Sequence, residues 1–186
     1  MERCGWCLGN ELYEKYHDEE WGRFAGDDRK QFEFVVLESA QAGLNWLTIL
    51  KKRDNYRKAY DGFDPQKVAA YTESDVERLM ADAGIVRNRK KIEASIKNAR
   101  VFLDIVSEFG SFADYLLHFN DGNRVINHFE TLKEVPATSP LSDAISKDLK
   151  KRGAGFMGST IVYAHLQATG IVMDHIKSCH CHDSCK

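Results

Sequence analysis

The sequence predicts an all-α protein. Apolar residues recur every three or four positions over long stretches, which is the period of a helix and not the alternation of a strand. Prolines, which interrupt helices, occur at only three of the 186 positions. Hydrophobic residues make up 43% of the chain, which is enough to build a core unaided. We therefore expect a single compact α-helical domain over residues 1–186.

The first thirty residues combine aromatic side chains with candidate metal ligands. Tyr13, Tyr16 and His17 are three or four positions apart, so a short helix would present all three on one side. A loop follows, in which Asp27 or Asp28 can cap the next helix.

The helix that begins near residue 31 carries a charge in apolar surroundings. Glu38 lies among Phe34, Val35 and Ala42 at helical spacings of three and four. Burying an unpaired carboxylate costs free energy, so such a group normally has a partner or a function. Either Glu38 is a core residue paired with an Arg or a Tyr, or it belongs to a ligand site.

A turn after this helix brings further ligand-binding candidates towards Glu38. Gly43 suits the left-handed position that ends a helix, and Asn45 can cap the helix that follows. We therefore expect Leu44 and Trp46 to lie close to Glu38. A carboxylate beside an exposed apolar tip and an indole is suited to a flat, hydrogen-bonding ligand of the kind that base-flipping enzymes bind.

Local signals mark further helix starts in the middle of the chain. Pro65 is suited to the first helical position of a segment that ends near Tyr71. Thr72 and Asp75 resemble a capping box for a helix that reaches Met80.

Residues 72–106 predict a helical hairpin. Gly84 permits a sharp reversal, and the second helix places apolar residues on one side and cations on the other. The amides around Gly84 and Ile85, together with the Arg87 side chain, can bind phosphate oxygens of DNA. A plain hairpin between core helices has the same pattern.

The last third of the chain is also predicted to be helical. Residues 109–140 are expected to form helices broken at 121–123. Another helix is expected over 142–152, and a last one, capped by Ser159 or Thr160, is expected to end at Gly170.

The charge pattern is compatible with DNA binding although the formal net charge is only −2. Each of three cationic clusters fits an ordinary solvated helix face, but the three together keep a DNA partner in consideration. The clusters are Lys51, Lys52, Arg53, Arg57 and Lys58; Arg87, Arg89, Lys90, Lys91, Lys97 and Arg100; and Lys147, Lys150, Lys151 and Arg152.

The five cysteines lie at the two ends of the chain, which favours metal ligation or free thiols over disulfides. His175 and Cys179 are one helical turn apart, and Cys4 with His17 would complete a Cys2His2 set that suits structural Zn²⁺. Such a site would join the terminal arms 1–22 and 170–186. Other ligands compete from spacing alone, namely Cys7, His180, Cys181, His182 and Cys185.

Targeting signals are not found in the sequence. The amino terminus lacks the apolar run of a signal peptide, and nothing later approaches the ~20 apolar residues of a membrane span. We therefore expect a cytoplasmic protein that does not bind membranes.

Several stretches, spread over essentially the whole chain, resemble the 3-methyladenine DNA glycosylase I family. In combination they are far more specific than any one of them. The matching stretches are Met1–Trp6, Tyr16–Gly22, Leu37–Glu38, Gln41–Trp46, Asp82–Ile85 with Arg87, Lys150–Gly153 and Asp174–His175.

The resemblance implies a helix-hairpin-helix DNA glycosylase fold. Such an enzyme flips 3-methyladenine out of double-stranded DNA and hydrolyses its glycosidic bond without a lyase step, and we expect it to be a monomer. Two other classes remain compatible with the same residues: a zinc-stabilised DNA-binding module without chemistry, and a protein whose hairpin and metal arms serve a protein partner.

The resemblance also implies roles for individual residues. The zinc ligands would be Cys4, His17, His175 and Cys179. The base pocket would consist of Glu38 as the catalytic carboxylate with Tyr16, Trp46, Trp6 and Trp21. The expected DNA contacts are Leu44 and Gly43 on the turn, Gly84, Ile85 and Arg87 on the hairpin, and Lys151. Cys7 and the tail cysteines lie outside the matched positions.

Overall fold

A computed structural model describes residues 2–185, so Met1 and Lys186, which belong to the predicted domain and arms, lie outside the described residues. Within this range the protein is mostly helical. No helix between residues 2 and 185 is both long and apolar enough to cross a bilayer. The helices are α1 Glu11–Glu19, α2 Asp28–Gln41, α3 Trp46–Ala59, α4 Pro65–Ala69, α5 Glu73–Ala81, α6 Arg89–Phe109, α7 Phe112–His118, α8 Pro140–Lys151 and α9 Ser159–Ala168, with 3₁₀ turns at Gly5–Cys7, Leu132–Glu134 and Asp183–Cys185.

The structure contains one short pair of parallel strands that the all-α prediction did not include. Strand β1 (Val125–Ile126) pairs with β2 (Val172–Met173), so that Val125 lies opposite Val172 and Ile126 opposite Met173. The pair brings the segment before α8 against the carboxy-terminal arm. The architecture is therefore helical with one two-residue strand bridge.

The segment between α7 and α8 is not helical, so the helices predicted after the 121–123 break are wrong. Residues 124–139 contain only β1 and a 3₁₀ turn. Tertiary contacts, and not the hydrogen bonds of a helix, hold this segment in place. The Arg124 guanidinium donates to the carbonyl oxygen of Gly170 at 2.6 Å and to that of Cys185 at 2.8 Å.

The helix starts predicted from capping residues are confirmed in the first half of the chain. The Asp27 carboxylate accepts from the third amide of α2, and the Asn45 amide oxygen accepts from the second amide of α3. Pro65 is the first residue of α4, and Thr72 forms a capping box with Asp75 at the start of α5. These starts are fixed by neighbours in sequence, which explains why they were predictable.

Two helix starts in the second half differ from the prediction. The helix expected from Ser142 begins two residues earlier, because Ser139 provides the cap and forms a capping box with Ser142. Neither Ser159 nor Thr160 caps α9, whose N-cap is Gly158. The Ser159 hydroxyl instead contacts the Ser142 hydroxyl at 2.8 Å.

Helix α2 lies in the middle of the molecule and packs against α3, α6, α7 and α9. Ten consecutive residues, Gln31–Ala40, are buried, so this helix has no solvent-facing side over most of its length. The apolar face of α6, from Ile92 to Ile105, covers one side of it. A charge on α2 must therefore be paired, or lie at the wall of a cavity.

The α5–α6 hairpin packs against α3 through a close approach at Gly84. A Cβ atom at this position would lie 3.0 Å from the Asn55 Cβ, and Gly84 does not have a positive φ. Glycine is thus required here by packing, and not by the backbone reversal that the sequence suggested. The Asn55 and Lys52 side chains donate to the Gly84 carbonyl oxygen, both at 3.4 Å.

Candidate active site and metal centre

A cavity of about 360 Å³ lies beside the middle of α2. Ligand sites for small molecules in proteins commonly have volumes of about 300–1,000 Å³. Five aromatic residues contribute to its wall among residues 2–185, together with one carboxyl group and two amides. The lining residues are Trp6, Tyr13, Tyr16, Trp21, Glu38, Gln41, Trp46, Leu132, Val135, Ala164 and Gln167.

Of the residues that the structure describes, Glu38 is the one acidic residue in this wall, and it is 3% exposed. Within residues 2–185 its carboxyl group forms no hydrogen bond and no ion pair. Burial alone raises the pKa of Glu38 to about 8. An unpaired buried carboxyl of this kind is typical of functional sites.

Glu33, on the same helix, shows what a structural glutamate looks like in this protein. It is as buried as Glu38, but Arg53 donates to it at 2.8 Å and Arg57 at 2.9 Å. Burial opposes ionisation of Glu33, yet the hydrogen bond from Arg53 leaves the pKa of this carboxyl below its ordinary value. A core glutamate paired with an arginine is therefore an accurate description of Glu33 and not of Glu38.

The rings around Glu38 form a continuous aromatic wall. The Tyr16 and Trp46 ring centroids are 5.5 Å apart, and those of Trp6 and Trp21 are 5.0 Å apart. Burial, followed by the nearby Glu38 carboxyl, raises the pKa of Tyr16 well above its ordinary value, so the phenol keeps its proton. All four predicted pocket aromatics thus line the same cavity as Glu38.

The turn between α2 and α3 positions Trp46. Gly43 adopts a φ of +76°, where a side chain would be strained. The turn is closed by the Gln41 side chain, which donates to the Leu44 carbonyl oxygen at 2.9 Å. The Leu44 side chain is 41% exposed although it is apolar. As predicted, Asn45 then begins α3, and Trp46 faces the cavity.

Lys91 supports this turn from inside the protein. Its ammonium group donates to the carbonyl oxygens of Ala40 at 2.7 Å and Ala42 at 2.6 Å, at the end of α2. Lys91 is 9% exposed, and burial lowers its pKa. From the sequence, Lys91 is assigned to a cationic cluster for DNA. In the structure, its ammonium group instead binds carbonyl oxygens that the end of α2 leaves free.

A buried Cys/His cluster able to hold a metal ion lies next to the cavity. The ligand atoms of Cys4, His17, His175 and Cys179 all lie within 4.8 Å of one another. The Cys179 Sγ is 3.4 Å from His17 Nε2 and 3.5 Å from His175 Nδ1. Tetrahedral zinc with these ligands requires separations of about 3.5 Å. The donor set and its geometry thus fit a structural zinc ion.

The second nitrogen of each histidine is oriented by a neighbour, as in protein metal sites. The Nδ1 of His17 lies 2.8 Å from Asp18 Oδ1, and the Nε2 of His175 donates to the Trp21 carbonyl oxygen at 2.9 Å. Trp21 therefore joins the cluster to the aromatic cavity. Cys7 is excluded from the cluster because its thiol donates instead to the Cys4 carbonyl oxygen at 3.1 Å.

The residues predicted to contact DNA are in different environments. Arg87 and Lys151 are exposed, and neither forms an ion pair among residues 2–185. The Ile85 side chain is buried, and the Gly84 amide donates to Asp82 Oδ1 at 2.7 Å. The hairpin amide of Gly84 is therefore occupied inside the protein, whereas the Arg87 side chain is available.

Several cations of the predicted clusters are engaged inside the protein. Ion pairs of this kind reduce the positive charge that the clusters can offer to a phosphate backbone. The pairs are Arg53 with Glu20 and Glu33, Arg57 with Glu33 and Asp54, Arg89 with Glu73 and Glu77, and Arg152 with Glu108 and Asp148.

The first half of α6 supports three segments that carry candidate site residues. The Lys91 side chain supports the turn after α2. The start of α6 is joined directly to the hairpin loop between α5 and α6. About two turns further along α6, Asn98 exchanges two hydrogen bonds with the backbone of Gly155, at 2.8 and 3.0 Å. A Cβ at Gly155 would meet the Ala94 Cβ at 3.0 Å, so the loop after α8 packs directly on α6.

Six residues of the cavity wall were not predicted as site residues, namely Tyr13, Gln41, Leu132, Val135, Ala164 and Gln167. Tyr13 is three positions before Tyr16 on α1, so its helical spacing could have identified it. Leu132 and Val135 come from the irregular segment that the sequence predicted as helix, and no local pattern marks them. Gln167 reaches the cavity from α9, which is distant in sequence from the rest.

Comparison with known proteins gives consistent results. The family model described as "Methyladenine glycosylase" matches residues 6–182. DNA-3-methyladenine glycosylase 1 of Escherichia coli (strain K12) is 50% identical over 182 residues, which cover 98% of this chain and 97% of that protein. DNA-3-methyladenine glycosylase of Haemophilus influenzae is 42% identical over 182 residues, with 98% of each chain covered.

A solved structure agrees with the sequence comparisons. It comes from Staphylococcus aureus and is described as the structural basis of 3-methyladenine recognition by 3-methyladenine DNA glycosylase I. It superimposes with a TM-score of 0.92 at 37% identity and covers 97% of this chain and 96% of that one.

Proposed function

This chain belongs to the methyladenine glycosylase family, a family of N-glycosyl hydrolases, and from that premise we propose that it excises 3-methyladenine from alkylated double-stranded DNA. The relatives from E. coli and H. influenzae are named for this activity. The proposed reaction is hydrolysis of the N-glycosidic bond of a flipped-out base, with no lyase step. One observation carries the proposal: an unpaired, buried carboxyl group in the wall of an aromatic cavity.

The chemistry of the lesion explains why such a cavity is sufficient. Methylation at N3 makes the adenine ring cationic while it is still attached to the sugar. When the bond between C1′ and N9 breaks, its electron pair passes to the ring, which leaves as a neutral base. A water oxygen bonds to C1′ and the water loses a proton. Because the base is already a good leaving group, recognition contributes more than acid catalysis.

The aromatic wall supports selection of a cationic purine. Rings such as those of Trp46, Tyr16 and Trp6 attract a desolvated cation by about 1–2 kcal/mol per contact, and a neutral purine by less. Ionised Glu38 would accept a hydrogen bond from the edge of the base, and a charge-assisted bond of this type is stronger than a neutral one. Trp21 completes the wall on the side of the metal cluster.

The raised pKa of Glu38 gives this recognition a pH dependence. With a pKa of about 8, the carboxyl group of the free enzyme is mostly protonated at neutral pH. A cationic base favours the ionised form, so its binding releases the proton, and that release costs less as the pH approaches 8. We expect base release at low substrate concentration to rise with pH up to about 8 and then to level off.

The exposed residues support a DNA surface on one side of the cavity. Leu44 is an apolar tip on the turn beside Trp46, suited to occupy space in the duplex when a base flips out. Gly43 leaves room for the backbone there, since no atom of residues 2–185 outside the turn lies within 4 Å of where its Cβ would be. In this proposal Arg87 and Lys151 bind phosphates, which fix the register of the duplex.

The α5–α6 hairpin would serve as the helix-hairpin-helix element of this surface, over residues 72–106. Gly84 and Ile85 contribute through packing: Gly84 allows contact with α3, and the buried Ile85 anchors the loop that presents Arg87. Phosphate binding by this element would therefore depend mainly on the exposed cation.

The metal proposed at Cys4, His17, His175 and Cys179 is Zn²⁺. With four protein ligands it would stay inert in the reaction and serve as a cross-link between the arms 1–22 and 170–186. The cluster reaches the cavity through Trp21, whose carbonyl oxygen accepts from His175. We also propose that the protein acts as a cytoplasmic monomer.

The proposed activity is tested by identifying the bases released from methylated duplex DNA. We expect 3-methyladenine as the released base, with the sugar–phosphate strand left intact at the abasic site. Trp46→Ala should reduce the release by about 5- to 30-fold by removing one ring of the wall, whereas Phe24→Ala, an exposed aromatic outside the cavity, should not.

Two results would contradict the proposal when duplex binding at different salt concentrations is measured alongside base release. Salt-dependent duplex binding without release of any base would identify a DNA-binding module without chemistry. If the protein shows no salt-dependent binding to duplex DNA, the result would favour a protein partner instead.

A further inference from the structure

The carboxy-terminal tail contains ligand atoms that the four-residue cluster does not use. His180 Nε2 lies 3.4 Å from Cys181 Sγ, and the same nitrogen lies 3.4 Å from Asp18 Oδ1. The third separation, between Cys181 Sγ and Asp18 Oδ1, is 4.0 Å. Three ligand atoms of different chemical type, from both ends of the chain, therefore surround one point.

The orientation of His180 suits a metal ligand. Its Nδ1 lies 2.9 Å from the Glu2 carbonyl oxygen, which can only accept, so Nδ1 carries the proton. The free electron pair of the neutral ring is then on Nε2, the atom that faces Cys181 and Asp18. A hydrogen bond from the distal nitrogen to a backbone carbonyl is the usual way in which proteins orient a metal-binding histidine.

Asp18 is held in place independently of the tail. Arg3 Nε donates to both carboxylate oxygens, each at 3.0 Å, and a second guanidinium nitrogen donates to Oδ2 at 2.9 Å. The carboxylate oxygen that faces His180 and Cys181 also lies 2.8 Å from His17 Nδ1. Asp18 is therefore positioned before any ion binds.

We propose that Asp18, His180 and Cys181 form a second metal site, for a thiophilic divalent cation of the zinc class. Sulfur, nitrogen and oxygen ligands of a tetrahedral zinc ion are separated by about 3.3–3.6 Å, close to the separations found here. A mixed thiolate, imidazole and carboxylate set favours a borderline cation over Mg²⁺ or Ca²⁺. With three protein ligands, the fourth position is left for solvent.

The second site would be more labile than the first. The four ligands of the first cluster are all buried, whereas His180 is exposed at the surface. Asp18 contacts His17 of the first cluster, and Cys179 of that cluster lies two residues before Cys181, so the sites are adjacent. We expect one tightly held ion and one ion that exchanges with solvent. This inference goes beyond the proposed excision of bases and does not depend on it.

Metal stoichiometry tests the second site directly. The purified full-length protein is titrated with Zn²⁺, and, after exchange, with ¹¹³Cd²⁺ for NMR. We expect two equivalents per chain and two cadmium resonances, with the second ion removed first by a mild chelator. Cys181→Ser and His180→Ala should each weaken binding of the second ion by roughly 10-fold or more and leave the first equivalent in place.

Matched variants separate this site from general binding by the tail. His182→Ala removes a tail histidine that contacts His128 instead, and Cys7→Ser removes a buried thiol outside both clusters. Both should keep two equivalents. The proposal is overturned by one equivalent in the unaltered protein, by a second equivalent that survives Cys181→Ser and His180→Ala, or by its loss in His182→Ala.

Discussion

At the residue scale, the contrast between Glu33 and Glu38 supports Glu38 as the proposed active carboxyl group. Both lie on α2 and both are buried, but, within the described residues, Glu33 has two arginine partners and Glu38 has none. Burial raises the pKa of both carboxyl groups, but at Glu33 the hydrogen bond from Arg53 outweighs it and the pKa is lowered, whereas the pKa of Glu38 stays raised. An unpaired buried carboxyl group is costly and is typical of functional sites, and Glu38 lies in the wall of a cavity.

This cost should be measurable as a pH-dependent effect of Glu38→Gln on stability. The pKa of Glu38 is about 8 in the folded protein against an ordinary value of 4.5, so the folded state keeps a proton that the unfolded chain loses. The stabilising effect of this proton is complete below pH 4.5 and is lost as the pH rises through 8. The glutamine variant has no such loss.

We therefore expect Glu38→Gln to become more stable relative to the unaltered protein as the pH is raised from 5 to 9. The difference should reach several kcal/mol, with an upper limit of about 5 kcal/mol for this change in pKa. Urea unfolding of both proteins across this range gives the measurement. Parallel stability curves would mean that Glu38 is ionised and solvated in the folded protein.

At the element scale, the end of α2 depends on a side chain from α6. Lys91 donates to two carbonyl oxygens at the start of the turn that carries Leu44 and Trp46. Such a charged donor completes the carbonyl groups that a helix end leaves free. The Lys91 side chain thereby links α6 to the turn that contributes Trp46 to the cavity wall.

Lys91→Met should loosen this turn while keeping a side chain of similar length. Loss of two hydrogen bonds from a charged donor should cost about 1.5–3 kcal/mol in the free energy of unfolding. Amide hydrogen exchange over residues 42–47 should accelerate, because the turn loses its support. Lys90→Met, one residue earlier and exposed, is the control and should change stability by less than about 0.5 kcal/mol. Unchanged exchange in Lys91→Met would show that the turn is held by other contacts.

The elements also show which features a sequence can predict. The caps at Asp27, Asn45 and Thr72 are contacts between neighbours in sequence, and all three were predictable. The pairing of β1 with β2 joins segments more than forty positions apart, with two residues in each strand. Strands this short carry no alternation for a pattern to detect.

The site was predictable in part for the same reason. Apolar neighbours at helical spacing placed Glu38 in a buried position, and Gly43 and Asn45 located the turn with Leu44 and Trp46. The absence of a partner for Glu38, and the internal role of Lys91, depend on distances across the fold. No spacing along the chain reports those distances.

At the scale of the whole molecule, the two chain ends meet at one cluster. Cys4 and His17 come from the first arm, and His175 and Cys179 from the last. An ion held there closes a loop through most of the chain, which restricts the unfolded state far more than the folded one. Metal binding should therefore contribute to folding without taking part in the chemistry.

Removal of the metal should accordingly destabilise the protein. We expect a strong chelator, or Cys4→Ser, to lower the free energy of unfolding by more than about 3 kcal/mol, since apparent binding energies of structural zinc are larger still. Hydrogen exchange should increase in residues 2–22 and 170–185 before it increases in α6. A metal-free protein with the same urea midpoint as the metal-loaded one would disprove the cross-link.

The central claim concerns Glu38, and the most direct measurement is kcat/KM for release of 3-methyladenine by Glu38→Gln. The substitution keeps the shape of the side chain and removes its negative charge, so binding of undamaged duplex should be unchanged. If the ionised carboxyl group in the aromatic cavity selects the cationic base, kcat/KM should fall at least about 100-fold near pH 8. Release at the rate of the unaltered enzyme, with DNA binding intact, would contradict the account.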